Sequence, residues 1–449
     1  MKNLFVTLSL ILTTFCQSQS WDYLGNAGFS GTSASDGANY LSIAIDNQNQ
    51  GVYVAFQALA CEGKLAMTKY QGNNTWGQSV GNSNPIISCY SNGYANFIDL
   101  NIDDAGFPYL SYIDAGVGDA LKIVTKNNNG TYTTQGTAGG GNFNGGFSLG
   151  TSIKKDVDNT LYMATYDNRL KFWKSGNWSY INITSTINIT TFSFDFIYGS
   201  GYVAYSNLDD GGSIDIKKVT SAVNVAETYD NISDGLANYI DLKINPLTIQ
   251  PYIAYQDIAN GGGVTVKKLN GDNWELVGEE AFSGGLSNYI DLAFDVNGVP
   301  YVAFQDVSFS NKLSVMTYNG TTWEYVGERG VSPASASYCS IELNSDGEIF
   351  VAFKDGSVSN MASVLRFGAA LSIDDNDLNN YVLSPNPANN KLTIDGVSDY
   401  DAKIFNNLGQ FVMETTNTNT IDVSTLSKGI YFIKVSDGIN SSTKKFIKN

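Results

Sequence analysis

Two recurring sets of side chains in this sequence could contact a ligand. Aspartates end one repeated strand, and aromatic residues open another. The nine residues are Asp114, Asp257, Asp306 and Asp355, together with Tyr40, Phe97, Tyr239, Tyr289 and Tyr338. Aromatic faces pack on the C–H surfaces of sugars, and carboxylates accept hydrogen bonds from hydroxyl groups. The set is therefore the predicted binding site for a glycan or a protein ligand, with packing between repeats as the structural alternative.

The chain contains no histidine, which removes several catalytic classes. Ser-His-Asp and Cys-His nucleophiles, His-ligated zinc and a histidine general base are all excluded. A glycoside hydrolase or lyase that uses Asp or Glu with Tyr stays open as the alternative. Because no pair of acids stands out from the repeats, we predict no catalytic residue, cofactor or metal. A non-enzymatic binding module is the favoured function.

The stretch Asn288–Asp306, NYIDLAFDVNGVPYVAFQD, shows the element that must position these residues. Two runs rich in β-branched and aromatic residues flank a D-V-N-G turn, which predicts a β-hairpin. The hairpin recurs at intervals of 40 to 56 residues, and two further strands follow each copy. The aromatic residues that open its second strand are Tyr53, Tyr109, Tyr162, Tyr202, Tyr252, Tyr301 and Phe350. This period predicts an all-β fold, a seven-bladed β-propeller.

The N-terminal strand supplies what the last repeat lacks. Trp21-Asp-Tyr-Leu-Gly resembles the fourth strands that begin at Trp274 and Trp323, whereas the last repeat ends with its third strand near Phe367. We therefore predict that residues 21–26 complete the last blade and close the ring over residues 21–368. Closure would leave no unpaired strand edge between the first and last blades.

Further acids recur inside the repeats. Asp46, Asp103, Asp295 and Asp346 lie at the turn between the first and second strands. Turn capping is favoured over calcium binding there, because no complete calcium loop with a closing Glu is present. A second group lies along the innermost strand and is predicted to brace the neighbouring blade or to line a wet channel. It comprises Asp99, Asp195, Asp241 and Asp291, with Ser42 and Ser340 in equivalent places.

Net charge and the N-terminus indicate location and partners. The net charge is −17, and the arginines are Arg169, Arg329 and Arg366 alone. A nucleic-acid partner, which needs clustered positive charge, is therefore not expected. Residues 1–20 are predicted to be a signal peptide cleaved before Trp21, with a lipoprotein anchored at Cys16 as the alternative. No later apolar run is long enough to span a bilayer, and we expect a monomer.

The C-terminal residues have a different pattern. Residues 369–382 are rich in Asp and Asn and predict a linker, and residues 383–449 predict a small antiparallel β-sandwich. An S-P-N-P opening, a strand ending in L-G-Q, an L-S-K-G-I-Y-F strand and a lysine-rich end follow in that order. In this order they resemble the type A sorting domain of type IX secretion cargo from Bacteroidota. The resemblance implies export to the medium or the outer cell surface, with the type IX machinery as a partner.

The cysteines fit an oxidising export route. Cys61 follows the second strand of the first repeat, and Cys89 precedes the first strand of the next. In a propeller those two loops emerge on the same face, which predicts a Cys61–Cys89 disulfide. Cys339 takes the place that Ile290 has in another repeat and is predicted to be a buried thiol.

Overall fold

The computed structural model describes most of the chain and divides it into two compact units, residues 1–368 and 369–449. The described residues are 20–77, 89–118, 120–126, 132–135, 150–158, 160–166, 170–174, 177–181, 188–222, 224–368, 382–395, 400–406, 410–416, 420–436 and 441–449. The predicted signal peptide lies outside them apart from Ser20, as does the predicted linker apart from Val382. Arg169 and the Gly-rich stretch 137–147 also lie outside the described residues.

The described part of the first unit is built from four-stranded antiparallel sheets, and all but the last are made of strands consecutive in the chain. After β1 (Ser20–Tyr23), sheet 1 contains β2 (Ala38–Asp46), β3 (Gly51–Ala58), β4 (Lys64–Tyr70) and β5 (Trp76–Gly77). Sheet 2 contains β6 (Ala95–Ile102), β7 (Pro108–Asp114), β8 (Ala120–Lys126) and β9 (Tyr132–Gln135). Sheet 3 contains β10 (Thr151–Lys155), β11 (Leu161–Tyr166), β12 (Leu170–Lys174) and β13 (Asn177–Ile181).

The remaining sheets of this unit follow the same plan. Sheet 4 contains β14 (Ile189–Ile197), β15 (Ser200–Asn207), β16 (Ser213–Thr220) and β17 (Val225–Tyr229). Sheet 5 contains β18 (Ala237–Ile244), β19 (Pro251–Asp257), β20 (Gly263–Asn270) and β21 (Asn273–Leu276). Sheet 6 contains β22 (Ser287–Phe294), β23 (Pro300–Asp306), β24 (Lys312–Tyr318) and β25 (Trp323–Tyr325). Sheet 7 contains β26 (Ala336–Leu343), β27 (Ile349–Asp355) and β28 (Met361–Gly368), and β1 is its fourth strand.

The two ends of this unit are hydrogen-bonded to each other. Strand β1 pairs antiparallel with β28, with Trp21 opposite Phe367 and Tyr23 opposite Leu365. The Trp-x-x-x-Gly resemblance predicts this pairing from sequence. The outer edge of sheet 7 is therefore supplied by residues that are more than 300 positions distant in the chain.

Indole hydrogen bonds give the Trp-x-x-x-Gly motif its physical meaning. The indole Nε1 of Trp323 donates to the carbonyl of Val277 at 2.7 Å, and the indole Nε1 of Trp21 donates to that of Val326 at 2.7 Å. Each acceptor stands three residues after the tryptophan of the preceding sheet. The glycine that follows it is required, since Gly278 has φ +82° and an added Cβ would lie 2.8 Å from the Trp323 ring. The motif therefore joins outer strands of neighbouring sheets.

The apolar cores of the first unit lie between successive sheets. The second strands β3, β7 and β19 are buried along their whole length, because both of their faces pack against other residues of this unit. One core joins sheets 1 and 2, and each following pair of sheets up to 6 and 7 shares another. A further core joins sheet 7 to sheet 1 through Phe350 and Val364 on one side and Val54 and Phe56 on the other.

The second unit has its own sheets and its own core. One sheet contains β29 (Val382–Ser384), β30 (Lys391–Asp395) and β33 (Thr420–Asp422). The other contains β31 (Asp401–Asn406), β32 (Phe411–Thr416), β34 (Gly429–Ser436) and β35 (Ser441–Lys448). Leu392, Ile404, Ile433 and Phe446 are nearly inaccessible in a core confined to this unit. The arrangement agrees with the small antiparallel sandwich expected from sequence.

Candidate functional site

A belt of side chains joins the innermost strands of neighbouring sheets. Its members are Ser42, Asp99, Ser152, Ser193, Asp241, Asp291 and Ser340, each opposite an Ala or Ser on its second strand. Asp291 accepts from the Ile341 N–H at 2.7 Å, and Ser340 accepts from the Ile43 N–H at 3.2 Å. Corresponding bonds connect sheets 1 to 2, 2 to 3, 4 to 5 and 5 to 6, and Ser152 donates to the Phe194 carbonyl between sheets 3 and 4.

The predicted inner-strand acids are thus largely bracing residues, with one correction. The equivalent of Asp291 in sheet 4 is Ser193, because Ser193 pairs with Ala204 as Asp291 pairs with Ala303. Asp195 lies two residues further along β14 and accepts from the Ile244 N–H at 2.7 Å. Asp195 therefore also connects sheet 4 to sheet 5, but from a position two residues beyond the belt. The turn set needs a similar correction, because Asn344 and not Asp346 accepts the turn amides between β26 and β27.

The three other predicted turn acids take the capping role. Asp295 Oδ1 accepts from the N–H groups of Asn297 and Val299 at 2.9 and 2.8 Å. Asp46 and Asp103 accept from turn amides in the same manner. These hydrogen bonds show that the three aspartates cap β-turns.

A partial ring of aromatic side chains lies two residues before the belt. We call the five residues Tyr40, Phe97, Tyr239, Tyr289 and Tyr338 the collar. Each stands in a β-bulge of an innermost strand with φ between +45° and +52°. Bulky side chains seldom adopt this left-handed conformation, which costs about 1–3 kcal/mol per residue and concentrates at functional sites. The bulge re-aims each ring away from the regular alternation of the strand.

The collar residues touch one another in a continuous arc. The ring centroids are 5.1 Å apart for Phe97 and Tyr40, 5.2 Å for Tyr40 and Tyr338, 4.9 Å for Tyr338 and Tyr289, and 5.2 Å for Tyr289 and Tyr239. Burial raises the pKa of Tyr338 to about 12 and raises the pKa of the other three tyrosines, so all four phenols stay protonated at neutral pH. None of the four phenol groups is hydrogen-bonded to another described residue.

Amide side chains hold the bulges in register. Asn238 donates to Gln256 at 3.0 Å, Gln256 donates to Asn288 at 2.9 Å, and Asn288 donates to Gln305 at 2.9 Å. Each asparagine directly precedes a collar tyrosine in the chain. Sequence reasoning missed this network, although the recurring A-N-Y, A-N-F and S-N-Y tripeptides are its signal. The network therefore fixes the backbone that carries the collar and uses none of the collar phenol groups.

The collar is incomplete at two adjacent sheets. Gly150 and Thr191 stand where sheets 3 and 4 would otherwise contribute aromatic rings, between Phe97 on one side and Tyr239 on the other. A cavity of about 770 Å³ opens there. Its lining is Phe97, Ile98, Gly150, Thr151, Thr190, Thr191, Phe192, Asn238, Tyr239, Ile240, Gln256, Leu286, Asn288 and Ile290.

A second, smaller cavity of about 240 Å³ is lined by all the innermost strands at the level of the belt. Asp99, Asp241, Asp291 and Glu342 face Lys154 and Lys243 around it. Burial raises the pKa of Asp241 to about 7, with Lys243 opposing the shift and Asp291 adding to it. Burial also raises the pKa of Asp195 and of Glu342. Burial alone would lower the pKa of Lys243, but the surrounding carboxylates raise it well above its usual value.

The raised pKa of Asp241 predicts how the stability of the fold depends on pH. Below pH 7 folded Asp241 holds a proton that the unfolded chain releases above about pH 4, so stability is fully present near pH 4 and declines as the pH rises through 7. We expect the melting temperature to fall between pH 5 and pH 8, and Asp241→Asn to flatten that slope. Thermal unfolding followed by circular dichroism at four pH values measures both. An unchanged slope in Asp241→Asn would contradict the assignment.

The predicted aspartates do not join the collar. Asp114, Asp257, Asp306 and Asp355 are at most 2% exposed, and each caps the short 3-10 turn that follows its strand. Their oxygens are already hydrogen-bonded to other residues of the chain. Asp306 accepts two bonds from Arg329 at 2.6 and 2.9 Å, and Asp355 accepts from the Tyr23 hydroxyl at 2.7 Å. The carboxylates therefore serve the fold, and the aromatic residues remain the candidates for ligand contact.

The cysteines form the pair that the sequence predicts. Cys61 and Cys89 are joined in a disulfide with their Cα atoms 5.3 Å apart, which links sheet 1 to the segment leading into sheet 2. Cys339 is a buried free thiol whose pKa is raised by desolvation. No helix in the described residues is long and apolar enough to cross a membrane.

A family comparison identifies the C-terminal residues. Residues 383–449 match the family described as a secretion system C-terminal sorting domain. The match agrees with the order of motifs in this segment and supports export through the type IX system. The protein is therefore secreted or located on the outer cell surface.

Comparisons with whole proteins are more distant. A search of curated proteins finds no match. The extracellular domain assigned to a hybrid two component system of B. thetaiotaomicron has a TM-score of 0.48 and 10% identity, with 96% of this chain and 57% of that structure covered. This chain thus spans little more than half of that structure.

Two carbohydrate-binding structures are similarly remote. Penicillium chrysogenum alpha-L-arabinanase, solved with arabinobiose, has a TM-score of 0.43 and 10% identity over 61% of this chain and 92% of that one. A mutant Aleuria aurantia lectin, solved with Fucalpha1-6GlcNAc, has a TM-score of 0.43 and 14% identity over 67% of this chain and 99% of that one. At these values the similarities assign neither a fold nor a ligand to this chain.

Proposed function

We propose that residues 21–368 form a closed seven-bladed β-propeller that acts outside the cell as a binding module, with the collar as its ligand-contacting surface. Residues 1–20 are its signal peptide, residues 369–382 a linker and residues 383–449 the sorting domain. A glycan or a protein segment is the ligand class. The part of the proposal that concerns export rests on the family match, and the part that concerns binding rests on the collar.

Two observations support the closed ring. Every pair of successive sheets shares an apolar core, and sheet 7 shares one with sheet 1. The belt follows the same order, since Asp291 bonds sheet 6 to sheet 7 and Ser340 bonds sheet 7 to sheet 1. Each sheet is thus a blade that buries both faces against its neighbours, which a four-stranded sheet cannot do alone.

The single observation that carries the binding function is the arc of collar rings whose phenol groups are hydrogen-bonded to no other described residue. Collar rings spaced 4.9 to 5.2 Å apart present a broad aromatic surface. The phenol groups of Tyr40, Tyr239, Tyr289 and Tyr338 can each donate and accept a hydrogen bond. A surface that is apolar in its rings and polar at its tips suits a ligand with C–H faces and hydroxyl groups. All five collar residues adopt an unfavourable left-handed backbone conformation, and such strain is typical of functional sites.

Asparagine substitution tests the collar because Asn tolerates left-handed backbone conformations. We expect Tyr239→Asn to weaken glycan binding by about tenfold, equivalent to about 1.4 kcal/mol, while stability is maintained. A glycan array followed by titration calorimetry of the best ligand measures the change. Tyr198→Asn is the matched control, because Tyr198 also has φ +50° and is 61% exposed but lies in the turn between β14 and β15. Equal losses in the two variants, or no loss in Tyr239→Asn, would contradict the proposal.

Polysaccharide processing is the alternative function, and the Asp241–Asp291 pair is the observation that favours it. Burial raises the pKa of Asp241 to about 7, and the neighbouring Asp291 carboxyl adds to that shift. Both also brace the next sheet, since Asp241 accepts from the Leu292 N–H at 2.9 Å. A reducing-end assay on a polysaccharide panel separates the functions. Turnover that disappears in Asp241→Asn would identify an enzyme, and the binding proposal expects no turnover.

A further inference from the structure

We infer that this protein has one ligand site, located at the collar gap, and that its ligand is an uncharged glycan. The inference rests on the proposed binding function and makes it specific in position, stoichiometry and ligand charge. The collar gap is the pair of adjacent positions, Gly150 and Thr191, at which the collar lacks aromatic rings. It lies within the cavity of about 770 Å³.

The gap is an asymmetric feature in a repeating structure. The other five equivalent positions hold aromatic rings that contact one another and so close the collar along that arc. Gly150 adopts φ +147°, and an added Cβ would lie 3.0 Å from the Phe192 ring. A side chain larger than hydrogen would therefore press on a wall of the cavity. The absence of rings at two neighbouring sheets produces one entrance, and not one weak site per blade.

The cavity offers both of the surfaces that a sugar needs. Phe97, Phe192 and Tyr239 supply aromatic walls, while Thr190 and Thr191 supply hydroxyl groups that bond no other described residue. The Asn238 amide nitrogen is held by Gln256, and its carbonyl oxygen remains available as an acceptor. The volume lies in the range of small-molecule sites, about 300–1,000 Å³. Stacking and hydroxyl recognition can thus act on the same ligand.

Charge decides the ligand class. Among the described residues that line this cavity there is no Asp, Glu, Lys or Arg. The smaller cavity at the belt holds four carboxyl groups against two lysines, and the whole chain carries a net charge of −17. An anionic sugar would lose hydration without finding a cation and would meet a negative field. A glycan without uronate, sulfate or phosphate groups fits the site.

Tryptophan substitutions in the gap test the inference on the full-length secreted protein. Thr191→Trp and Thr190→Trp each place a large ring in the cavity, and Thr190 is exposed, so its variant is expected to fold without repacking. Thr248→Trp is the matched control, because Thr248 is an exposed residue of the turn between β18 and β19. Calorimetric titration uses a panel of neutral oligosaccharides with uronate-containing and sulfated counterparts.

We expect one neutral oligosaccharide bound per chain, no binding of the acidic counterparts, and at least a tenfold loss of affinity in both gap variants. Thr248→Trp should bind as the wild type does. Binding that is lost in Tyr338→Asn but intact in both gap variants would overturn the position of the site and leave the proposed function standing. Preferential binding of acidic sugars, or several ligands per chain, would overturn the ligand class or the single site. No binding to any glycan would overturn this inference and would leave a protein segment as the ligand class of the proposed function.

Discussion

Deleting residues 383–449 is expected to stop release of the protein from the cell while the first unit still folds. The deleted residues match a secretion sorting domain and have their own core, in which Ile404 and Ile433 are at most 1% exposed. The core clusters of the first unit are, among the described residues, formed by that unit's own side chains. Immunoblots of medium, outer membrane and periplasm would locate the truncated chain, and we expect it almost entirely in the periplasm.

A graft provides the control for this deletion. Residues 369–449 fused to an unrelated folded protein that carries the same signal peptide should direct that protein out of the cell. The purified truncated chain should melt within a few degrees of the full-length protein. Truncated chain found in the medium at the level of the full-length protein would show that export does not depend on this domain.

Trp323→Ala is expected to lower the free energy of unfolding by about 3–5 kcal/mol. The Trp323 ring is 8% exposed, stacks on Phe282 at a centroid distance of 4.3 Å and contacts Tyr318 at 5.6 Å. Its Nε1 also donates to the Val277 carbonyl of the preceding sheet. The substitution therefore removes ring packing and an intersheet hydrogen bond at once. Chemical denaturation followed by circular dichroism measures the loss.

Phenylalanine substitutions separate the two contributions. Trp323→Phe removes the donor but keeps much of the ring, and we expect a loss of about 1–2 kcal/mol. Trp274→Phe is the matched control, because the Trp274 Nε1 is buried without a hydrogen-bond partner. Sheet 4 ends in Val225–Tyr229 and offers no Trp-x-x-x-Gly motif, which explains the missing acceptor. A Trp274→Phe variant that loses as much stability as Trp323→Phe would contradict the role of the indole bond.

Local chemistry in the sequence determined much of the architecture. The D-V-N-G turn of residues 295–298 and the variant turns of the other repeats stand between β-branched runs and indicate hairpins, so the strands of most sheets could be placed from sequence. The Trp-x-x-x-Gly motif at Trp21 indicated that β1 pairs with β28, and the positions of Cys61 and Cys89 indicated their disulfide. The sorting domain was recognisable because several motifs occur there in a fixed order. All of these signals lie in short stretches of chain.

The tertiary structure alone decided which of the repeated residues face a ligand. Asp306 and Tyr289 lie near the same end of sheet 6. The Asp306 carboxylate accepts hydrogen bonds from the Phe309 N–H and from Arg329, whereas the Tyr289 ring packs in the collar. Periodicity cannot distinguish the two outcomes, because a bulge with a left-handed residue reverses the expected side of the strand. The same bulges conceal that Ser193, and not Asp195, is the belt residue of sheet 4. The collar gap exists only because strands 10 and 14 stand side by side, and that adjacency depends on how the sheets pack and not on any one segment of sequence.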